Sequence, residues 1–363
     1  MSLEVIYVTR HGFRSNWLVD QTGNYTNALK SPTGGAADPA LTAYGVEQAR
    51  ELGERLLVVD PPVERVYSSL YYRCLQTVEP FVRRTATKNS SRNLKIRGET
   101  GLGEWYGQAN FEHPVPATPK ALDSLFPALL DTLYRPVIEP TRIGESLSAL
   151  HDRVAATMDQ LVAECDRDGV RAVLLCSHAA TVIALGRVLT GHMPENVGVE
   201  DFRAFTCGLS VYRRRKQPSA KTTEKEEEEE EGKNAQPLDN YDGSKISSTG
   251  DGLADRATTS RPSSLSWRGG RGVAGGWNCE LNSDCSHLSG GEERGWRFSG
   301  DESFLDAKDP SILDAGIHLG VVVEGKKKDN KTKDTKGKEA EAGEGEGGGS
   351  SSGGRKDTGG SRL

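Results

Sequence analysis

Two short apolar runs, Val5-Ile6-Tyr7-Val8 and Ala172-Val173-Leu174-Leu175-Cys176, constrain the fold of this chain more than anything else in it. Both are continuous rather than alternating and both end on polar residues, the pattern of a strand buried on both faces. Such a strand needs helices above and below it, and helical spacing occurs where they are needed. Thr42 can cap a helix through Leu57, with Val46, Ala49, Leu52 and Leu56 three or four apart. Ser146 to Cys165 repeats the pattern at Leu147, Leu150, Val154, Met158, Leu161 and Cys165. Val63 to Ser68 reads as a further strand. Arg73 to Phe81 begins a helix that contains Pro80, Ala179 to Leu189 is helical, and Leu209 to Tyr212 reads as a last strand that closes the domain near Arg215. The order predicts an α/β fold, a three-layer sandwich with a mostly parallel central sheet.

Composition divides the chain at the same place. Of the 42 glycines, 26 fall in the 148 residues after Arg215, together with six consecutive glutamates, Glu226 to Glu231. Most of that half is too poor in apolar residues to offset the entropy of ordering and is expected to be disordered. The expected organisation is a domain over 1–215, a charged linker over 216–272, an aromatic segment over 273–324, and a disordered Lys/Glu/Gly/Ser tail over 325–363. A net charge of -6 gives no general attraction to nucleic acid or acidic lipid. With no apolar run of roughly 18 residues, no membrane span is expected. Met1-Ser2-Leu3-Glu4 leads into an apolar stretch too short for a signal peptide, and six unevenly spaced cysteines suit a reducing compartment, so the cytoplasm or nucleus is expected. The glycan acceptor patterns at Asn24 and Asn89 then read as chance.

The chemistry gathers at the two apolar runs. His11 follows the first and His178 the second, and in open α/β sheets the carboxyl ends of strands form the ligand crevice. Arg10 and Arg14 flank His11, and Arg73 lies just beyond the Val63 to Ser68 strand. Converging guanidinium groups suit a tetrahedral anion such as phosphate. Glu104, in Gly101-Leu102-Gly103-Glu104-Trp105, is the candidate carboxyl group. Beside apolar Trp105 its pKa is expected to rise enough to hold a proton.

Thr9-Arg10-His11-Gly12, Leu41-Thr42, Ser68-Ser69 before Arg73-Cys74-Leu75-Gln76-Thr77, the Glu104 segment and Ser177-His178 together resemble the histidine phosphatase superfamily, with its phosphoglycerate mutase-like fold, over about residues 3 to 213. The resemblance implies that His11 is the phosphorylated nucleophile, that Glu104 is the proton donor, and that Arg10, Arg14, Arg73 and His178 hold phosphate. It implies no metal and no cofactor, and a phosphorylated small molecule or phosphoprotein as substrate. Arg14, three places after His11, resembles the UBASH/Sts branch, although Phe13 stands where that branch usually has an acidic residue and Ala179 replaces a common glycine.

Behind the charged linker, Trp277, Trp296, Phe298 and Phe304 form an aromatic island. It resembles the region following the phosphatase-like domain in fungal tau subunits of the polymerase III factor TFIIIC, which implies a transcription-factor subunit as partner and a scaffold role as the alternative to catalysis. Docking on a partner is the expected use of the island, and a hairpin folded back on the domain is the competing one. Cys279 and Cys285 are too far apart for a zinc site. Arg268-Gly269-Gly270-Arg271-Gly272 reads as a flexible spacer, and direct nucleic-acid binding is not expected.

Overall fold

In a computed structural model of the chain, the structure describes residues 2–20, 22–27, 31–88, 94–216, 267–300 and 321–322. Most of the expected linker, all of the 325–363 tail, and Phe304 lie outside the described residues. Nine strands and five helices are described: β1 (Val5–Arg10), β2 (Trp17–Val19), β3 (Tyr25–Asn27), α1 (Ala43–Leu56), β4 (Arg65–Ser68), α2 (Tyr72–Lys88), β5 (Ile96–Gly98), α3 (Pro119–Leu125), α4 (Leu147–Asp168), β6 (Ala172–Ser177), α5 (Ala179–Thr190), β7 (Leu209–Arg214), β8 (Trp277–Asp284) and β9 (Val321–Val322).

The central sheet runs β5-β4-β6-β1-β7-β8, with β1, β4, β5 and β6 mutually parallel and β7 antiparallel to both of its neighbours. The two continuous apolar runs sit at its centre and are completely buried. Their side chains alternate between two cores, as the period of a strand requires. Ile6, Val8, Val173 and Leu175 meet the layer of α4 and α5, whereas Val5, Tyr7, Leu174 and Cys176 meet that of α1 and α2. The three-layer α/β sandwich expected from the sequence is therefore present.

Thr42 caps α1 as expected, and Ser146, where the helical spacing of α4 begins, caps that helix. Thr42 and Ser146 each accept a backbone N–H three residues on, at 3.2 Å, which satisfies one of the free donors of the first turn. Val46, expected on the buried face of α1, is 46% exposed, and Gly45, Gln48, Ala49, Leu52, Gly53 and Leu56 make that face instead. The helix that starts near Arg73 continues through Pro80 to Lys88.

Three expectations about the second half are corrected. The sheet does not close near Arg215, because β8 pairs antiparallel with β7 and forms its edge. The aromatic island is no free anchor: Trp267, Trp277, Trp296 and Phe298 are buried in the same core as α4 and α5. The hydrophobic gain of burying three tryptophans and a phenylalanine within the chain outweighs the polar character of their surroundings. Nor is Arg268 to Gly272 a spacer. Gly270 donates to the carbonyl of Gly191 at the end of α5, and a Cβ on Gly272 would fall 2.2 Å from the carbonyl oxygen of Leu189, so glycine is needed for the chain to seat there. Arg268 meanwhile pairs with Asp152 and covers the ring of Trp267. All six cysteines are free. Among the described residues no helix is long and apolar enough to cross a membrane.

Candidate active site

The parallel register of β1 and β6 brings the two histidines together. Arg10 and Ser177 are the last paired residues, and the backbone N–H of His11 continues the ladder by donating to the carbonyl of Ser177 at 3.0 Å. The rings stand edge to face, 5.4 Å apart. His11 Nδ1 lies 2.8 Å from the carbonyl oxygen of Gly12. A carbonyl only accepts, so Nδ1 carries the proton and Nε2 keeps its lone pair. Burial, then the charges of Arg73, Arg14 and Arg10, hold the His11 pKa well below its ordinary value, so the ring is neutral at physiological pH.

Glu104 follows a short 3-10 turn (Thr100–Leu102) that two hydroxyls, one from the end of β6 and one from α5, tie in place. Ser177 Oγ donates to the carbonyl of Leu102 at 2.6 Å, and Thr181 Oγ1 donates to that of Gly103 at 2.8 Å. The turn thereby carries Glu104 to the histidines. Reactive atoms of His11, Glu104 and His178 all lie within 4.8 Å of one another, and all three residues are buried.

Arg73, in the first turn of α2, links the cluster. Its Nη2 stands 3.1 Å from Glu104 Oε2 and 3.2 Å from His178 Nδ1, while Nη1 reaches Asp38 Oδ1 at 3.3 Å and the carbonyl of Ala37 at 3.1 Å. Arg14 lies with its guanidinium 3.7 Å from the Trp17 ring centroid, and Arg73 is 5.0 Å from the same ring. Arg10 is held through Nη1 by the carbonyls of Ala204 and Arg294. The Nε donors of Arg10 and Arg73 are buried without a hydrogen-bond partner, an arrangement that an anion would complete. All six candidate residues are thus brought together.

The expected state of Glu104 is corrected. Burial pushes its carboxyl up, but His178, Arg73 and Arg14 outweigh burial and hold it well below the usual carboxylate range. Trp105 does not set its charge. Burial pulls the His178 pKa down, whereas the Cys74 sulfur and the Glu104 carboxylate raise it, and the net direction is upward. With that proton Nδ1 can donate to Glu104 Oε2 at 3.3 Å, and Nε2 stands 2.8 Å from Ser69 Oγ.

His11, Glu104 and His178 have the spacing of metal ligands, yet the Arg73 guanidinium already contacts two of them. A divalent cation would meet that fixed positive charge at contact distance, so the cluster suits an anion better. Sequence reasoning passed over Ser69, Asp38 and Trp17 as site residues. Ser69 belongs to the Ser68-Ser69 motif, whereas Asp38 lies in a loop and Trp17 in the three-residue strand β2, and neither stretch has a pattern that signals a site.

A chain with this fold and this cluster belongs to the histidine phosphatase superfamily (branch 1), whose sequence pattern matches residues 6–223. The transcription factor tau 55 kDa subunit of Saccharomyces cerevisiae is 29% identical over 305 residues, which take in 82% of this chain and 59% of that protein. Ubiquitin-associated and SH3 domain-containing protein B of Mus musculus is 31% identical over 216 residues, 53% of this chain and 33% of that one. The ecdysteroid-phosphate phosphatase of Drosophila melanogaster is 30% identical over 215 residues, 53% of this chain and 27% of that one. This chain therefore spans 59% or less of the length of these relatives. Among solved structures, the ecdysone phosphate phosphatase of Bombyx mori in complex with tungstate is 21% identical with a TM-score of 0.47, covering 67% of this chain and 98% of that one.

Proposed function

We propose that this protein is a metal-independent phosphatase that hydrolyses a phosphomonoester through a phosphohistidine at His11. The observation that carries the reading is the meeting of His11, Glu104 and His178 within 4.8 Å, walled by Arg10, Arg14 and Arg73. Nε2 of the neutral His11 attacks phosphorus in line, while the three arginines and protonated His178 stabilise charge on the equatorial oxygens. The ester oxygen leaves with a proton from Glu104. Water then attacks the phosphohistidine, Glu104 takes the water proton, and inorganic phosphate and neutral His11 are released.

Glu104 begins as a carboxylate, so it must gain its proton as substrate binds. A bound phosphoryl dianion offsets the charges of Arg73, Arg14 and His178 that hold the proton off, and burial then favours the acid. Phosphate release across a panel of monoesters, with and without EDTA, tests the reading. Activity should persist in EDTA, His11→Ala should abolish it, and acid-labile label should appear on His11. Turnover by His11→Ala, or loss on chelation with recovery on adding a divalent ion, would overturn it.

A second reading is supported by the yeast relative, whose match to 82% of this chain must run beyond residues 6–223. In it the same domain serves as an interaction subunit of a nuclear assembly of the transcription factor tau type. The aromatic side chains from Trp267 to Phe298 fill this chain's own core, so a partner would meet other surface. Co-precipitation of the full chain with other tau subunits, unaffected by His11→Ala, supports that role, and absence of any tau subunit removes it.

A further inference from the structure

Arg294 lies outside the stretch that the superfamily pattern matches, yet it reaches the candidate site. Its carbonyl oxygen accepts from Arg10, and its side chain turns to the loop after His11. There the guanidinium carbon stands 4.1 Å from the Phe13 ring centroid, and Nη1 donates to Asn16 Oδ1 at 2.6 Å. The backbone of Arg294 has φ of 51°, in the left-handed region that side chains seldom adopt, so these contacts override local preference.

This cation is oriented but not neutralised. Glu292 pairs with Arg203, and among the described residues no carboxylate lies within ion-pair distance of Arg294. Inside the site, the cations Arg10, Arg14, Arg73 and His178 are set against Asp38, Glu104 and the Cys74 sulfur, so much of their charge is already balanced within the pocket. Arg294, exposed at the rim, stands beyond that balance. Phe13 gives it an apolar platform where an acidic residue would have cancelled it.

We infer that Arg294 forms a second anion subsite, and that the substrate is a phosphomonoester bearing a further negative group, a carboxylate or second phosphate, beside the reacting phosphoryl. The inference rests on the phosphate-site reading above. Calorimetry on the full chain with methylphosphonate and phosphonoacetate tests it without turnover, since the two share a phosphonyl group and only one carries an added carboxylate. At low salt the wild type should bind phosphonoacetate about tenfold more tightly, as expected for one charge-assisted contact. Arg294→Ala should bring the ratio close to one, Arg294→Glu should invert it, and Arg294→Lys should retain most of it.

An unchanged ratio in Arg294→Ala and Arg294→Glu overturns the inference. Methylphosphonate binding that survives Arg73→Ala instead overturns the phosphate-site reading, and no binding of either ligand by the wild type overturns both. Phosphotyrosine peptides with acidic or neutral neighbours identify the source of the second anion. Discrimination that Arg294→Ala removes means a protein substrate, and none means a small molecule.

Discussion

Glu104 and His178 face each other across 3.3 Å, carboxylate oxygen to Nδ1, and each favours the charged form of the other. Removing that carboxylate should separate binding from chemistry. In Glu104→Gln the positive charge of the pocket is less compensated, so a phosphate analogue such as tungstate should bind more tightly than to the wild type. The proton donor is lost at the same time, and turnover should fall by about 10²-fold or more. Titration calorimetry and a phosphate-release assay on the same preparation check both, and weaker tungstate binding would contradict the charge argument.

The two imidazoles should titrate in opposite directions. His11 is held below 6.5 and should stay neutral as the pH falls through that value, whereas His178 is held above it and should stay protonated as the pH rises through it. Ring C–H resonances followed by NMR, assigned with His11→Asn and His178→Asn, give the two curves. Two ordinary midpoints near 6.5 would mean that the buried charges do not act as described.

The fold up to Arg214 was largely legible because it rests on strong local signals: two continuous apolar runs, helical spacing after the Thr42 cap and from Ser146, and a histidine immediately after each central strand. The site was legible for the same reason, since strand ends fix where His11 and His178 must meet. The 267–300 segment was not. Its four buried aromatic residues are spread over a Gly-rich stretch without strand or helix periodicity, and only the tertiary contacts with α4, α5 and β7 show where they go. Composition carries no information about such partners. The charge of Glu104 failed similarly, because the neighbour in sequence, Trp105, is outweighed by Arg73 and His178 from distant elements.

Trp277 has no exposed surface and its indole N–H donates to the carbonyl of Val273 at 3.1 Å, so Trp277→Ala should cost about 3–5 kcal/mol of stability. A chain ended at Arg215 loses β8 and all four aromatic side chains together. It should unfold at much lower denaturant than the full chain or fail to fold. Urea titrations of the three proteins measure the difference, and a truncated chain as stable as the whole would restore a boundary at 215.

His151 should make stability fall in acid. Burial, opposed by the hydrogen bond to the Leu147 carbonyl, lowers its pKa to about 4, while the unfolded chain takes up the proton near 6.5. The folded state therefore binds fewer protons in this window. The stability that this group contributes is complete above about pH 6.5 and is lost as pH falls toward 4. His151→Phe keeps a ring against Trp267 and cannot titrate. Between pH 7 and pH 4.5 the wild type should lose roughly 2–3 kcal/mol more than this variant. Equal losses would show that His151 is not the group responsible.

The pairing of β7 with β8 also sets an order of events during synthesis. Arg214 leaves the ribosome 63 residues before Trp277, its partner in the sheet. At roughly 5–20 residues per second, on the order of 3 to 12 seconds pass with the β7 edge and the core beside α5 still uncovered. During that interval any part of the sheet that has formed presents an open row of backbone donors and acceptors to a neighbouring strand. The arrival of β8 closes it, so the aromatic segment acts as this chain's own late-arriving chaperone.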